Sequence, residues 1–186
     1  MTLVLGLDPG MDGAAAAMTG DPETLARWLE DPGGRYGPLL FRDYTIPAPT
    51  RGRQYDHGRL ARDLTTLAGK ERVLAVLEQP SAARRADGAG MSRSGSLAIG
   101  IGFGLLLGII GTNGWEVVIV QPSTWHRALF GKNAAGEPKA RALAYVRDRI
   151  PIVDPTLEGR FKKPHQGYVD ALCLASYGMR FSAEKR

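Results

Sequence analysis

The sequence predicts an α/β fold, a five-stranded mixed sheet flanked by helices. Two near-continuous apolar runs, residues 2–10 and 72–78, are typical of strands covered on both faces, because such strands lose the alternation of apolar and polar residues. Between and after these runs lie segments with apolar residues three or four positions apart, which indicates helices packed on a sheet. Strand and helix signals that alternate along one chain are typical of α/β proteins.

Length and composition fit one domain spanning residues 1–186. The chain carries a net charge of +5, so nucleic acid is a candidate partner. Its single cysteine, Cys173, excludes an intramolecular disulfide and a cysteine-based zinc cluster. Met1 leads directly into the first strand without the basic and apolar regions of a signal peptide, so we expect a cytoplasmic protein.

The N-terminal half is expected to contain four strands and one long helix. Pro9, Gly10 and Gly13 permit a tight reversal into a second strand of small residues. Alternation indicates the third strand, and apolar residues at helical spacing before Gly69 indicate the helix. The expected segments are strands at 14–18 and 41–46, a loop at 20–37 that holds a short helix at 23–29, a helix at 56–67 and the strand at 72–78.

The C-terminal half is expected to add helices and one further strand. Residues 97–110 are the most apolar stretch, but they are fewer than the roughly 20 that a membrane span needs, so we expect no membrane partner. Gly100, Gly104 and Gly108 would leave one face of this helix bare, which permits close approach of the sheet or of a second copy of the chain. The remaining segments are a strand at 115–121, a short helix around 125–127, and helices at 137–149 and 166–180.

Three acidic residues lie where the predicted sheet ends. Asp8 and Glu78 terminate two core strands, and parallel strands that end at one edge would bring these side chains close together. Asp170 lies early in the last helix. Two of these acids also have a simpler explanation, since Asp8 can cap the Pro-Gly turn and Asp170 can compensate the helix dipole. A buried carboxylate needs a partner, however, and converging carboxylates can share a metal ion.

The order of these elements suits an RNase H-like sheet. Three or four carboxylate-type ligands suit hard divalent metals such as Mg²⁺ or Mn²⁺. Two such ions about 3.5–4 Å apart can activate a water molecule and stabilise the leaving oxygen of a phosphodiester. The acids therefore predict a metal-dependent nuclease with two ions in each active site.

Basic residues supply candidate contacts to nucleic acid. Arg84, Arg85 and Arg93 lie on a predicted loop at 80–96 that is otherwise rich in Gly, Ala and Ser. Such a loop can follow phosphates by charge, although an exposed linker would have the same composition. Lys132 lies in a Gly-rich turn within a basic stretch at 127–163, a pattern that solvated helix faces share.

Three motifs, in this order, resemble the RuvC-type Holliday junction resolvases, and most closely their bacteriophage branch. The motifs are Leu5-Gly6-Leu7-Asp8-Pro9-Gly10 followed by Gly13, then Leu77-Glu78-Gln79, and finally Asp170-Ala171-Leu172-Cys173-Leu174-Ala175. The resemblance extends from residue 2 to about residue 177. By this resemblance, Asp8, Glu78 and Asp170 would be catalytic metal ligands, and the glycine-spaced helix at 96–111 would pack at a dimer interface.

The resemblance also assigns roles to residues outside the three acids. Lys139 falls where the family places a catalytic basic residue near the scissile phosphate. His126 falls where a second family lysine is often found, and it would contact DNA with less positive charge at neutral pH. Gly167 stands where the family usually has Asp or His, so His165 is a candidate fourth metal ligand or, alternatively, a loop histidine that contacts DNA or nothing.

The expected activity is that of a crossover junction endodeoxyribonuclease acting in DNA recombination and repair. It would be a homodimer that resolves Holliday junctions or other branched DNA by paired, metal-dependent hydrolysis leaving 5′-phosphates. A monomeric RNase H-like nuclease acting on RNA or flaps is the main alternative. A phosphotransferase of the actin and sugar-kinase type normally needs two such domains, for which 186 residues are too few. The clustered acids argue against a junction-binding protein without catalysis.

Overall fold

The computed structural model describes residues 2–9, 13–20, 40–45, 57–80, 93–132, 134–151, 153–156 and 162–184. The strands are β1 (Thr2–Leu7), β2 (Ala14–Gly20), β3 (Leu40–Thr45), β4 (Arg72–Glu78) and β5 (Glu116–Val120). The helices are α1 (His57–Ala68), α2 (Arg93–Thr112), α3 (Pro122–Phe130), α4 (Pro138–Arg149) and α5 (Gln166–Glu184). The short helix predicted at 23–29 lies outside the described residues, as do Arg84 and Arg85.

The strands form one mixed sheet in the order β3-β2-β1-β4-β5. β1 pairs antiparallel with β2, and β2 pairs antiparallel with β3. On its other side β1 pairs parallel with β4, which pairs parallel with β5. The strand β3 is described by its backbone alone and forms an edge. The predicted mixed α/β architecture is confirmed.

Helices cover both faces of the sheet. Val4, Val76 and Val120 belong to the core on one face, where α3, α4 and α5 pack. Leu5 and Leu77 belong to the core on the other face, where α1 and α2 pack. Successive side chains of a strand point to opposite faces, so the near-continuous apolar runs of β1 and β4 fill both cores at once.

Glycines bring α5 into direct contact with the sheet. A Cβ atom on Gly6 would collide with backbone atoms of Ala171 and Ala175, and one on Gly178 would collide with Val4 and Val76. The earlier residues of α5 therefore lie against the end of β1 and the later residues against its start. Because α5 runs antiparallel to β1, its N-terminal part reaches the edge of the sheet where β1 ends.

The helix α2 is longer at both ends than the sequence predicted. Its segment Gly95–Thr112 has a mean hydropathy of 1.9 and is long and apolar enough to cross a membrane, by length and composition only. Length therefore does not exclude a membrane span, contrary to the expectation from residues 97–110. One side of α2 packs on the sheet, where Leu106, Ile109 and Ile110 are buried in the core.

Candidate active site

The register of β1 and β4 brings two of the predicted acids side by side. Leu7 of β1 is the register partner of Leu77 of β4, and Asp8 and Glu78 are the next residues on these parallel strands. The Asp8 backbone N–H donates to the carbonyl of Ala14 at 3.0 Å. Both carboxylates are half-buried. The structure therefore places Asp8 and Glu78 at the same edge of the sheet.

The third acid, Asp170, reaches this edge from α5. It precedes Ala171, whose carbonyl oxygen lies over Gly6 of β1. Its Oδ1 accepts a hydrogen bond of 2.8 Å from Nε2 of Gln166, one turn earlier in the helix. Close packing between helix and strand thus fixes the position of the Asp170 backbone, and Gln166 restrains its side chain.

The three carboxyl groups interact electrostatically. Burial, and then the charge of Asp8, raises the pKa of Glu78 from 4.5 to about 8. The same two causes, in the same order, raise the pKa of Asp170 from 3.8 to about 7. Asp170 also contributes to raising the pKa of Glu78. Two acids whose pKa values are raised toward or above neutral pH, first by burial and then by a neighbouring carboxylate, are typical of a functional site.

The donor chemistry of this cluster fits a hard divalent cation, because it consists of carboxylate oxygens with raised proton affinity. Within the described part of the chain, no three His, Cys, Asp or Glu side chains are arranged so that they could hold a metal ion as they stand. The three acids fit a divalent cation because their donor atoms are oxygens and because they lie at the same edge of the sheet.

Lys139 lies beside the same cluster. It is an exposed residue in the first turn of α4, and its positive charge opposes the rise in the pKa of Asp170. The helix α4 packs against α5, with Ala142 and Val146 buried in the shared core. The structure therefore brings an ammonium group near the acids while leaving it accessible to a ligand.

Trp125 contacts the site, although the sequence analysis gave it no role. Its indole Nε1 donates a hydrogen bond of 2.7 Å to Oε2 of Glu78, and its side chain is 1% exposed. A buried tryptophan normally indicates core packing, and these two residues lie 47 positions apart in the chain. Only the proximity of α3 to the end of β5 could have signalled this contact.

His126 lies in an aromatic cluster rather than on an open basic surface. Its ring centroid is 3.9 Å from that of Trp125 and 5.5 Å from that of Phe130. Burial, and then the nearby charge of Arg141, lowers the pKa of His126 below 6.5. The imidazole is therefore mostly neutral at neutral pH, which weakens the electrostatic part of the predicted DNA contact.

His165 caps the N-terminus of α5. Its Nδ1 accepts a hydrogen bond of 3.1 Å from the backbone N–H of Tyr168. A neutral imidazole that accepts at Nδ1 carries its proton on Nε2, so in this arrangement neither ring nitrogen offers a lone pair to a metal ion. Metal binding by His165 stays a prediction, and it requires the cap to open.

The remaining predicted DNA contacts are exposed or lie outside the described side chains. Lys132 is exposed in the turn that follows α3. Arg93 is the first residue of α2, and its side chain is not among those described. The contact roles of these residues stay predictions.

Comparison with known proteins identifies the fold. No family model matches the chain, and no curated protein matches it. Among solved structures, it is similar to Thermus thermophilus RuvC in complex with a Holliday junction substrate, with a TM-score of 0.59 and 12% identity over 97% of this chain and 94% of that chain. It is also similar to another structure of Thermus thermophilus RuvC, with a TM-score of 0.59 and 15% identity over 97% of both chains. The chain therefore shares the RuvC fold, in agreement with the predicted RNase H-like class.

Proposed function

We propose that this chain is a divalent-metal-dependent endonuclease that cuts Holliday junctions or other branched DNA as a homodimer. The observation that carries the proposal is the convergence of Asp8, Glu78 and Asp170 at one edge of the sheet. The fold similarity to a RuvC structure that holds a Holliday junction supports the choice of substrate. The likeness to the bacteriophage branch remains a prediction from the three motifs.

The three carboxylates would hold Mg²⁺ or Mn²⁺, with two ions in each active site. Such ions, when bound, supply an activated water and stabilise the leaving oxygen during phosphodiester hydrolysis. Asp8 interacts electrostatically with both other acids, so it would help to hold both ions. Glu78 and Asp170 would each hold one ion from either side. The products would carry 5′-phosphates and 3′-hydroxyls.

Lys139 would stabilise negative charge on the scissile phosphate. An exposed ammonium beside the acids can reach a phosphate oxygen, and a donor placed where charge develops lowers the barrier most. Arg84, Arg85 and Arg93 would contact the branch point, and Lys132 and His126 would make further contacts to the DNA. Of these, His126 would act as a neutral hydrogen-bonding group, since burial and Arg141 lower its pKa.

The exposed face of α2 supports the proposed dimer. Leu97 is 65% exposed and Ile101 is 47% exposed, and they lie one turn apart. Gly100, Gly104 and Gly108 on the same side have open space where a Cβ would project. A bare, apolar helix face permits close approach of a second helix, and two copies related by a two-fold axis would present two active sites to two strands.

A panel of synthetic substrates tests this proposal against the main alternative. The panel contains a four-way junction, a linear duplex of the same sequence, a 5′ flap and an RNA–DNA hybrid, each incubated with Mg²⁺ or Mn²⁺. We expect paired, symmetric cuts near the branch point of the junction and little cutting of the duplex. Cleavage of the hybrid or flap without junction preference, by a monomeric protein, would support the RNase H-like alternative instead.

A further inference from the structure

We propose that Trp125 is a positioning residue that fixes the orientation of the Glu78 carboxyl group through Oε2 and leaves its other oxygen, Oε1, for a bound metal ion. The inference rests on the proposed metal-dependent function. It starts from the 2.7 Å hydrogen bond between Nε1 of Trp125 and Oε2 of Glu78. A mean side-chain hydrogen bond adds little to stability, but a short one between two buried side chains holds the carboxyl group in one orientation.

The backbone holds these two residues in a common framework. Beyond the end of β4, the N–H of Gln79 donates to the carbonyl of Val120 at 2.8 Å, so β4 and β5 stay paired up to the active-site edge. Gln121 then caps α3, and its carbonyl accepts from the N–H of Thr124 at 2.9 Å. The chain thus turns within a few residues from the strand beside Glu78 into the helix that carries Trp125.

Aromatic packing holds the indole ring itself. The ring centroid of Trp125 is 5.9 Å from that of Phe130, with the planes at 74°, and Phe130 contacts Tyr145 of α4 at 5.7 Å. His126 packs edge-on against the indole. Since Trp125 is 1% exposed, rotating it away from Glu78 would disturb a packed core. The same contacts link α3 to α4, the helix that carries Lys139.

The chemistry of the indole explains why it suits this position. Indole has one N–H donor and no acceptor, so it can engage one carboxylate oxygen and leave the other for an ion. Unlike Lys or Arg, it adds no positive charge that would repel a cation. Trp125 therefore occupies one acceptor position on Oε2 and leaves Oε1 for an ion. Partners of this kind around metal ligands typically change metal affinity by about 10–100-fold.

Calorimetric titration of the full-length protein with Mg²⁺, without DNA, tests this role. Trp125→Phe keeps an aromatic ring and removes the N–H, and we expect it to weaken Mg²⁺ binding by roughly 10-fold. Trp115→Phe is the matched control, because Trp115 is half-buried before β5 at the end of that strand remote from Glu78. The control should bind Mg²⁺ as the wild type does. Junction cleavage by Trp125→Phe should then require about 10-fold more Mg²⁺ for its half-maximal rate.

Nuclear magnetic resonance of the indole N–H groups gives a readout that does not depend on Trp125→Phe folding. The chain has three tryptophans, so Trp28→Phe and Trp115→Phe identify the Trp125 resonance by elimination. In wild-type protein this resonance should lie downfield, as expected for a bond to a carboxylate, and it should move when Mg²⁺ is added. In Glu78→Ala it should lose both the downfield position and the response to Mg²⁺.

These results distinguish the positioning role of Trp125 from the proposed nuclease function. A Trp125 resonance that is the same in wild type and Glu78→Ala would overturn the positioning role, as would unchanged Mg²⁺ affinity in a folded Trp125→Phe protein. Wild-type protein that neither binds Mg²⁺ nor cuts branched DNA would overturn the proposed function itself. A weakened Mg²⁺ affinity in Trp125→Phe with a normal Trp115→Phe control would support the role.

Discussion

At the scale of single residues, Asp8 links the other two acids of the candidate site electrostatically. Its charge is the second largest cause, after burial, of the raised pKa of both Glu78 and Asp170. A cluster of this kind binds either protons or a cation, because each lowers the cost of bringing the carboxyl groups together. Protons and metal ions therefore compete for the same oxygens.

The first prediction concerns the stability of the metal-free protein. The folded pKa values of Glu78 and Asp170, about 8 and about 7, lie above their ordinary values of 4.5 and 3.8. The folded state therefore holds protons that the unfolded chain has already released. The contribution of these two groups to the free energy of unfolding is fully present below about pH 4 and is lost as the pH rises toward 8. Thermal denaturation in EDTA should show the melting temperature falling by several degrees between roughly pH 5 and pH 8.

Asp8→Asn is the matched control for this pH dependence. Removing the Asp8 charge lowers the pKa of both neighbours toward their ordinary values, so the fall in melting temperature should become smaller. Added Mg²⁺ should restore the stability of the wild type more at pH 8 than at pH 5. Identical pH profiles for the wild type and the variant in EDTA would show that the acids are not coupled.

The second prediction concerns Lys139. Replacing it with alanine removes the positive charge beside Asp170, and we expect the rate of junction cleavage at saturating Mg²⁺ to fall by roughly 10²–10³-fold. Junction affinity should change little, since one phosphate contact among many is lost. Lys70→Ala, at an exposed turn before β4 and at the opposite end of the sheet, should cleave normally. Equal cleavage rates for Lys139→Ala and Lys70→Ala would show that Lys139 takes no part in cleavage.

Residue-scale features differ in how far the sequence could predict them. Asp8 and Glu78 could be predicted, because each interrupts an apolar strand and the register of parallel strands then brings the two together. The bond from Trp125 to Glu78 could not, because it depends on how α3 packs against the sheet. The cap formed by His165 could not either, since a histidine beside a helix start has several possible partners.

At the scale of elements, the contact between α5 and β1 sets the position of Asp170. Gly6 leaves no room for a side chain, because its missing Cβ would collide with the backbone of Ala171 and Ala175. A backbone obstacle cannot be relieved by rotating a side chain. Any added atom must move the helix, and with it the third carboxylate of the site.

The third prediction follows from this contact. Gly6→Ala should destabilise the protein by about 1–3 kcal/mol or more, measured by urea denaturation. Thr66→Ala, at an exposed position of α1, is the control. That change should be neutral or slightly stabilising, since alanine favours a helix more than threonine does. Similar stabilities for the two variants would contradict the packing of α5 on β1.

Strands and helices could be predicted from the sequence where their local residue pattern agrees with their packing in the fold. Apolar runs bounded by Pro and Gly gave the correct positions of β1 and β4, because these strands are buried on both faces. The sequence did not predict the start of α2. Arg93 and its polar neighbours have the composition of a loop, but the helix begins at Arg93. Helix ends depend on capping and tertiary contacts that hydropathy does not report.

At the scale of the whole molecule, the exposed face of α2 determines the proposed assembly. The fourth prediction is that Ile101→Glu converts the protein from dimer to monomer in sedimentation velocity experiments, because a charge would be buried at the helix pairing. Thr65→Glu, at an exposed position of α1, is the control and should remain dimeric. A wild type that sediments as a monomer would contradict the proposed dimer.

The most direct test of the central claim compares wild type and Asp8→Asn on one synthetic four-way junction with Mg²⁺. We predict paired, symmetric cuts near the branch point by the wild type, no detectable cutting by Asp8→Asn, and equal junction affinity for the two proteins. Such a result would assign hydrolysis to the carboxylates at the edge of the sheet. Cutting by Asp8→Asn at the wild-type rate, or junction binding without cutting by the wild type, would contradict the account.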